Sequence, residues 1–247
     1  MLHEIRSEDD LNKIKILFRD IRFFMGKSVL DGMMGTAYVD DITNPKVAFL
    51  KVRSYCFMSG NIENDKLKEI IDKNFKDYKL IPSDNLASQI ENIYQKELIK
   101  AYRYSIKKNP TFNISKLKRM SSDLGEEFEL TKIDKNIADR IKEEKFITIT
   151  DNYEKYGIGF CCLKKNEIIG VASSNIFYKD GIEVNIKVKE QYRKMGIATA
   201  MASKLILECL NQKKKISWDA ANTNSVGLAE KLGFKYDSKY RIYSFNN

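Results

Sequence analysis

Gly181-Ile-Glu-Val-Asn-Ile-Lys-Val-Lys189 leads through Glu190-Gln-Tyr-Arg-Lys-Met-Gly196 into Ile197-Ala-Thr-Ala-Met-Ala-Ser-Lys-Leu-Ile-Leu207. The first segment alternates. Ile182, Val184, Ile186 and Val188 interleave with Glu183, Asn185, Lys187 and Lys189, the period-two pattern of a half-buried strand. After a polar turn carrying Arg193, Lys194 and Gly196 the period changes. Ile197, Met201, Leu205 and Glu208 fall on a helical register, with Ala198, Ala200 and Ala202 in the first turns. A strand that passes through a basic, glycine-containing turn into a helix has the parts of a phosphate cradle. Helix N-terminal amides and the helix dipole favour an anion, and glycine lets the backbone approach it. A plain strand–helix connection with a solvated basic turn has the same spacing, so the rest of the chain must decide.

The 247 residues hold one large domain or two small ones, and 43% hydrophobic content is ample for a buried core. No apolar run is long enough to span a bilayer, and Met1 to Asp10 is acidic and polar rather than a basic-then-apolar leader. The expected location is the cytoplasm. Cys56, Cys161, Cys162 and Cys209 show neither a CxxC motif nor Cys/His metal spacing, which argues against a disulfide framework and a metal site. Cys161 and Cys162 lie in an apolar strand-like run and are expected to pack on opposite faces. His3, near the terminus, is the only histidine, which argues against histidine catalysis and multi-histidine metal sites. The net charge of +9 comes from lysines spread along the chain rather than from arginines gathered on one face. Lys213 to Lys215 suits a helix C-terminus. Neither nucleic acid nor membrane is an expected partner.

Taken in order, Glu8 to Met25 carries Leu11, Ile14, Phe18, Ile21 and Phe24 at helical spacing, with Ser7 as cap and Gly26 as stop. Gly35–Asp40, Lys46–Val52 and Ser54–Met58 read as a small antiparallel meander. Glu63–Phe75 and Asp84–Tyr94 read as helices, the second capped by Ser83, and Lys100–Ile106 as a strand. Asn113–Gly125 is a polar, partly helical connection, and a domain boundary is expected there.

From Glu126 the chain has a second plan. Phe128–Ile133 reads as a strand, Asp134–Glu144 as a helix, and Phe146–Lys155 as helical or irregular. Strands follow at Gly157–Leu163 and Ile168–Tyr178, then the opening strand, turn and helix. Lys215–Ala220 reads as a strand, Thr223–Leu232 as a helix stopped by Gly233, and Phe234–Tyr236 and Arg241–Phe245 as closing strands. Both halves contain a meander followed by helices, which leaves an ancestral duplication open.

Arg193-Lys-Met-Gly-Ile-Ala198 resembles the Arg/Gln-x-x-Gly-x-Gly/Ala turn of the GCN5-related N-acetyltransferases (GNAT). Asn222-Thr-Asn-Ser225-Val-Gly-Leu228-Ala-Glu-Lys231-Leu-Gly233-Phe234 is similar to that family's last helix. The wording is also similar to the two-part branch that includes the zwittermicin A resistance acetyltransferase. The resemblance implies an α/β (α+β) GNAT acyl-CoA N-acyltransferase fold: a mixed, mostly antiparallel sheet flanked by helices. It covers residues 119–247, after a smaller α/β N-terminal domain, 1–118, which would be a degenerate GNAT-like wall of the substrate cleft.

By the same resemblance, the backbone of Met195, Gly196, Ile197, Ala198 and Thr199 holds the pyrophosphate of acetyl-CoA, the co-substrate, and Arg193 and Lys194 add charge and donors. The exposed edge of Ile186, Lys187 and Val188 takes the pantetheine arm as an added strand, and the Val188 amide serves as oxyanion donor. Asn222 reaches the pantetheine, or is a helix cap, or both. Glu183 sits where the family often has a carboxylate that accepts the amine proton. It can equally be an outward strand residue or an anchor for a substrate ammonium group. The family's tyrosine acid falls at Ala229 here. Ser225 is a substitute acid candidate, and Tyr236, Tyr240 and Tyr243 are others. Trp218, Tyr102, Tyr104, Phe23 and Phe24 read as packing. No metal is implied.

The resulting expectation is an N-acetyltransferase that acts by direct amine attack on the thioester of acetyl-CoA. Its partner would be a small-molecule amine acceptor, and it would work as a monomer or homodimer. The substitution at Ala229 leaves a non-catalytic acyl-CoA-binding or regulatory module as the alternative. Antibiotic, polyamine, aminoacyl and protein amines all remain open as acceptors.

Overall fold

Val47–Val52 and Tyr55–Gly60 carry apolar side chains at nearly every position, and such strands must be covered on both faces. The computed structural model, which describes residues 2–19, 24–107, 109–150 and 152–246 (Phe24 by its backbone only), shows how. The chain forms two units, Met1–Arg103 with Lys239–Asn247, and Tyr104–Ser238. The first half runs β1 (His3–Ile5), α1 (Glu8–Ile14), α2 (Phe24–Leu30), β2 (Thr36–Val39), β3 (Val47–Val52), β4 (Tyr55–Gly60), α3 (Asn64–Asn74), β5 (Lys79–Pro82), α4 (Asp84–Tyr94) and β6 (Leu98–Ile106). β1 to β4 form an antiparallel meander, and β5 joins β4 in parallel. Leu67, Ile71, Leu86 and Ile90 of α3 and α4 pack on Phe49, Cys56, Met58 and Leu80. Each such side chain contributes about 1.5–3 kcal/mol on burial.

The second half runs α5 (Ile114–Ser122), β7 (Glu129–Lys132), α6 (Lys135–Glu143), α7 (Tyr153–Tyr156), β8 (Gly159–Lys164), β9 (Glu167–Tyr178), β10 (Gly181–Val188), α8 (Ile197–Asn211), β11 (Lys215–Ser217), β12 (Asp219–Ala220), α9 (Thr223–Leu232) and β13 (Tyr236–Phe245). Its sheet is ordered β11-β10-β9-β8-β7, antiparallel except for β10 with β11. Ala138, Ile141 and Tyr153 cover one face at Cys161 and Val171. α8 covers the other, where Gly170 clears Met201: a Cβ on Gly170 would lie 2.8 Å from the Met201 Cε. Cys161 pairs with Val171 and Cys162 with Gly170, so the two cysteines do occupy opposite faces.

α5 packs on α8 and belongs to the second unit. The division falls within β6 and β13, rather than between residues 118 and 119. Those two strands continue from one unit to the other, and in the second unit β6 pairs with β12. From β1 and again from β7 the chain follows one order, β-α-α-β-β-β-α-β-α-β, with α5 standing before the second run and the break at Trp218 dividing one of its strands. No helix among the described residues is long and apolar enough to cross a membrane.

Several local expectations are corrected. Glu8–Met25 is not one helix. α1, capped by the Ser7 side chain, passes into a 3-10 turn at Lys15–Phe18, and Gly26 lies inside α2 rather than ending a helix. Ile21 and Phe23 lie outside the described residues. β1 and β5 are strands too short to show alternation, and Pro82 terminates the second. Asn113–Gly125 contains a full helix, α5, capped by Asn113. Lys215–Ala220 is broken at Trp218 because its two pieces pair with different strands. Phe234–Phe245 holds one strand, β13, whose first half is largely exposed and so shows no apolar alternation. Tyr102 is 46% exposed under the Lys239 ammonium rather than packed in a core.

Candidate functional site

The second unit's sheet opens at one place. β10 and β11 pair only over Gly181–Glu183 with Lys215–Ser217, and then the chain turns away through Trp218. On its other side β10 stays paired with β9 to Val188. The Lys189 N–H donates to the Ile169 carbonyl at 2.8 Å. Backbone groups alternate sides along a strand, so Lys187 also faces β9, and Ile186 and Val188 turn their amides the other way. Among the described residues no strand pairs with that edge beyond Glu183. The expected pantetheine edge is therefore an open one, and the Val188 amide points out from it.

The turn after β10 is shaped by two left-handed residues, Lys194 (φ 64°) and Gly196 (φ 82°). A Cβ at Gly196 would meet only ordinary contacts, at 3.7 Å from Leu124, so glycine serves the backbone angle rather than clearance. Gly196 is the N-cap of α8 and no side chain caps that helix. Its first internal bond runs from Ala200 N–H to the Gly196 carbonyl, leaving the amides of Ile197, Ala198 and Thr199 to lead the helix. The Ile197 side chain is buried against Gly170, so only its backbone is available. Arg193, Lys194 and Met195 are exposed, and Arg193 pairs with Glu190 at 3.2 Å. An uncapped helix start behind a basic turn suits a phosphate, and an open strand edge suits an amide-bearing arm. The expected residues fit a coenzyme A molecule.

Glu183 is buried, 5% exposed, on the β10 face shared with Lys187, whose ammonium donates to the Phe146 carbonyl at 2.7 Å. The Ser217 hydroxyl lies 2.5 Å from Glu183 Oε2 and 3.0 Å from the Ile182 carbonyl. The buried Tyr178 side chain adjoins both. Its phenol is pushed up first by burial, with the Glu183 charge acting in the same direction and Ser217 opposing. Glu183 is thus an inward residue at the last paired position before the strands part. Spacing could place it on the strand but not foresee Ser217 or Tyr178 beside it, since a serine in Lys-Ile-Ser-Trp carries no signal.

At the other wall, Asn222 Oδ1 accepts the Ser225 N–H at 3.0 Å and caps α9. The cap bond uses its side-chain oxygen and not its amide nitrogen. Ser225 Oγ accepts the Trp218 indole N–H at 3.0 Å, and Trp218 stacks edge-on against Phe234. Trp218 is core, as expected, but it also positions the start of α9. Ala229 is fully buried. Of the tyrosines expected as substitutes, Tyr243 is committed elsewhere: it lies in the first unit and its hydroxyl donates to Glu91 at 2.6 Å.

The corresponding place in the first unit is closed. β4 and β5 pair through Met58 and Pro82, and the ladder continues as Ser83 N–H donates to the Met58 carbonyl. Asn85 Nδ2 then takes the Gly60 carbonyl at 2.8 Å. Only Asn61 to Glu63 separate β4 from α3, which has Glu63 at its N-cap position, without a side-chain cap bond, and Asp65 in its first turn. Those carboxylates oppose an anion.

A meander whose last strand splays from a parallel neighbour and feeds an uncapped helix is the plan of an acyl-CoA-dependent acyltransferase. A family model described as GNAT acetyltransferase matches residues 15–243, and the chain belongs to that family. It is 30% identical to a GCN5-related N-acetyltransferase-like protein from Streptococcus suis 89/1591, whose structure superposes with a TM-score of 0.86 over 96% of this chain and 99% of that one. It is 27% identical to the uncharacterized N-acetyltransferase YdfB of Bacillus subtilis (strain 168), over 87% of this chain and 88% of that one. A tandem GNAT protein from the clavulanic acid biosynthesis pathway shares the fold at 7% identity, with a TM-score of 0.54 over 98% of this chain and 97% of that one.

Proposed function

We propose that this chain is an acetyl-CoA-dependent N-acetyltransferase that acetylates a primary amine of a small-molecule acceptor. The observation that carries the reading is the open β10 edge beside a buried carboxylate, followed by the uncapped start of α8. Acetyl-CoA supplies an activated thioester. Met195 to Thr199 hold phosphate through backbone amides, with Arg193 and Lys194 adding charge. The edge at Ile186 to Val188 holds the pantetheine arm, helped by the Asn222 amide. The Val188 N–H stabilises negative charge on the thioester oxygen. Glu183 takes the proton from the amine, so that a neutral nitrogen attacks. Ser225 keeps a hydroxyl proton to give while it accepts from Trp218. The first unit is a degenerate copy of the same plan, and the chain is grouped with the two-part branch that includes the zwittermicin A resistance acetyltransferase.

The test is coenzyme A thiol release from acetyl-CoA over a panel of amines, with Glu183→Gln beside the wild type. The variant is expected to lose roughly a hundred- to ten-thousand-fold in kcat/KM while binding acetyl-CoA as before. Equal rates for the two proteins would remove Glu183 from the chemistry. Ala229, buried where the family has its tyrosine, favours a second reading, a non-catalytic acyl-CoA-binding module. Saturable acetyl-CoA binding with no release on any amine would select it.

A further inference from the structure

We propose that Ser217 is the positioning residue of Glu183, a hydroxyl placed to satisfy that buried carboxyl group in both of its protonation states. The inference rests on the acetyltransferase reading for its place in the reaction, but its geometry is independent of it. Ser217 is 4% exposed and Glu183 5%, and the two residues are register partners at the last rung between β10 and β11. A hydroxyl has one hydrogen and two lone pairs. Ser217 Oγ has two acceptors in reach, Glu183 Oε2 at 2.5 Å and the Ile182 carbonyl at 3.0 Å.

While Glu183 is ionised, the Ser217 proton goes to the carboxylate, a charge-assisted bond. Once an amine N–H bond has broken and the proton sits on Glu183, the acid O–H donates to Ser217 Oγ. The Ser217 hydrogen then rotates to the Ile182 carbonyl. One proton moves from nitrogen to carboxylate oxygen, none leaves the serine, and Glu183 Oε2 and Ser217 Oγ stay bonded to each other in both states. A carboxylate held only for structure needs the first arrangement alone. The second acceptor is what a group that takes up and releases protons requires, because an unsatisfied buried polar atom is costly.

The titratable and charged groups around the pair come from several elements. Tyr178 of β9 lies against both, and Asp180 in the β9–β10 turn and Cys209 of α8 act on Tyr178. Lys187 occupies the same face of β10 and is held by the Phe146 carbonyl, and Asp219 follows on β12.

The experiment is an infrared pH titration of the full chain. The carboxylic acid band of Glu183 is identified by its loss in Glu183→Gln and then followed in Ser217→Ala and Ser217→Thr. Removing the donor from the ionised form is expected to raise the Glu183 midpoint by about one pH unit in Ser217→Ala. Ser217→Thr, which keeps the hydroxyl, should titrate as the wild type does. Emission from Trp218, the only tryptophan, reports whether each variant is folded. An unmoved midpoint in a folded Ser217→Ala, or an equal shift in Ser217→Thr, overturns the proposal. In the thiol-release assay the acid limb of kcat/KM should move with the band. If the band moves and no protein releases thiol with any amine, the Ser217–Glu183 coupling stands and the acetyltransferase reading falls.

Discussion

The four cysteines show how far single residues follow from the sequence. Composition and spacing argue against disulfides and metal sites and read Cys161 and Cys162 as packing groups, and the structure buries all four completely. Burial pushes the thiols of Cys161 and Cys209 up to about 12 and that of Cys162 to about 11, and it raises Cys56 further. Only the thiolate reacts, so the folded chain is expected to be inert to a chromogenic disulfide reagent at pH 8 and to show four thiols after unfolding. Rapid reaction of any thiol in the folded protein would contradict the packing. The sign for stability follows. These groups are raised, so their contribution is complete below the unfolded thiol value near about 8.5 and is lost as pH climbs toward the folded values. Glu183 marks the opposite limit. Its position on the strand is legible, but its burial and its serine partner depend on a strand some thirty residues away and have no local signature.

At the scale of elements, the β10–turn–α8 unit was legible because three signals coincide there: alternation, a glycine at a left-handed position, and a change of period. The break at Trp218 was not. β11 and β12 together read as one strand, and only pairing with different neighbours divides them. α9 was legible from Asn222 and Gly233, its two ends, and the structure shows Asn222 making the cap bond. Asn222→Ala is expected to destabilise the protein by roughly 1 kcal/mol, lowering Tm by about 2–4 °C. Asn222→Asp keeps the oxygen and should hold Tm, yet it loses the amide donor and gains a charge. Weaker acetyl-CoA binding by Asn222→Asp at an unchanged Tm would separate the ligand role from the capping role. Unchanged affinity would leave Asn222 as a cap alone.

Over the whole molecule, the family was legible from two motifs in the second half, whereas the repetition of one plan in both halves needed the structure. The strands β1 and β5 that complete the first copy are too short to read. The two copies differ where the ligand would lie. The second has an open strand edge, the Lys189 to Gly196 turn and a helix led by glycine with no acidic residue in its first turn. The first has a zipped edge, a short acidic connection and the Asn85 side chain over the Gly60 carbonyl. On the proposed function, one cofactor site per chain is expected. Calorimetric titration of the full chain with acetyl-CoA tests this most directly, with Gly196→Trp as the matched control. The account predicts saturable binding of a single acetyl-CoA per chain, abolished in a folded Gly196→Trp variant. Two equivalents per chain, or binding that survives the substitution, would contradict it.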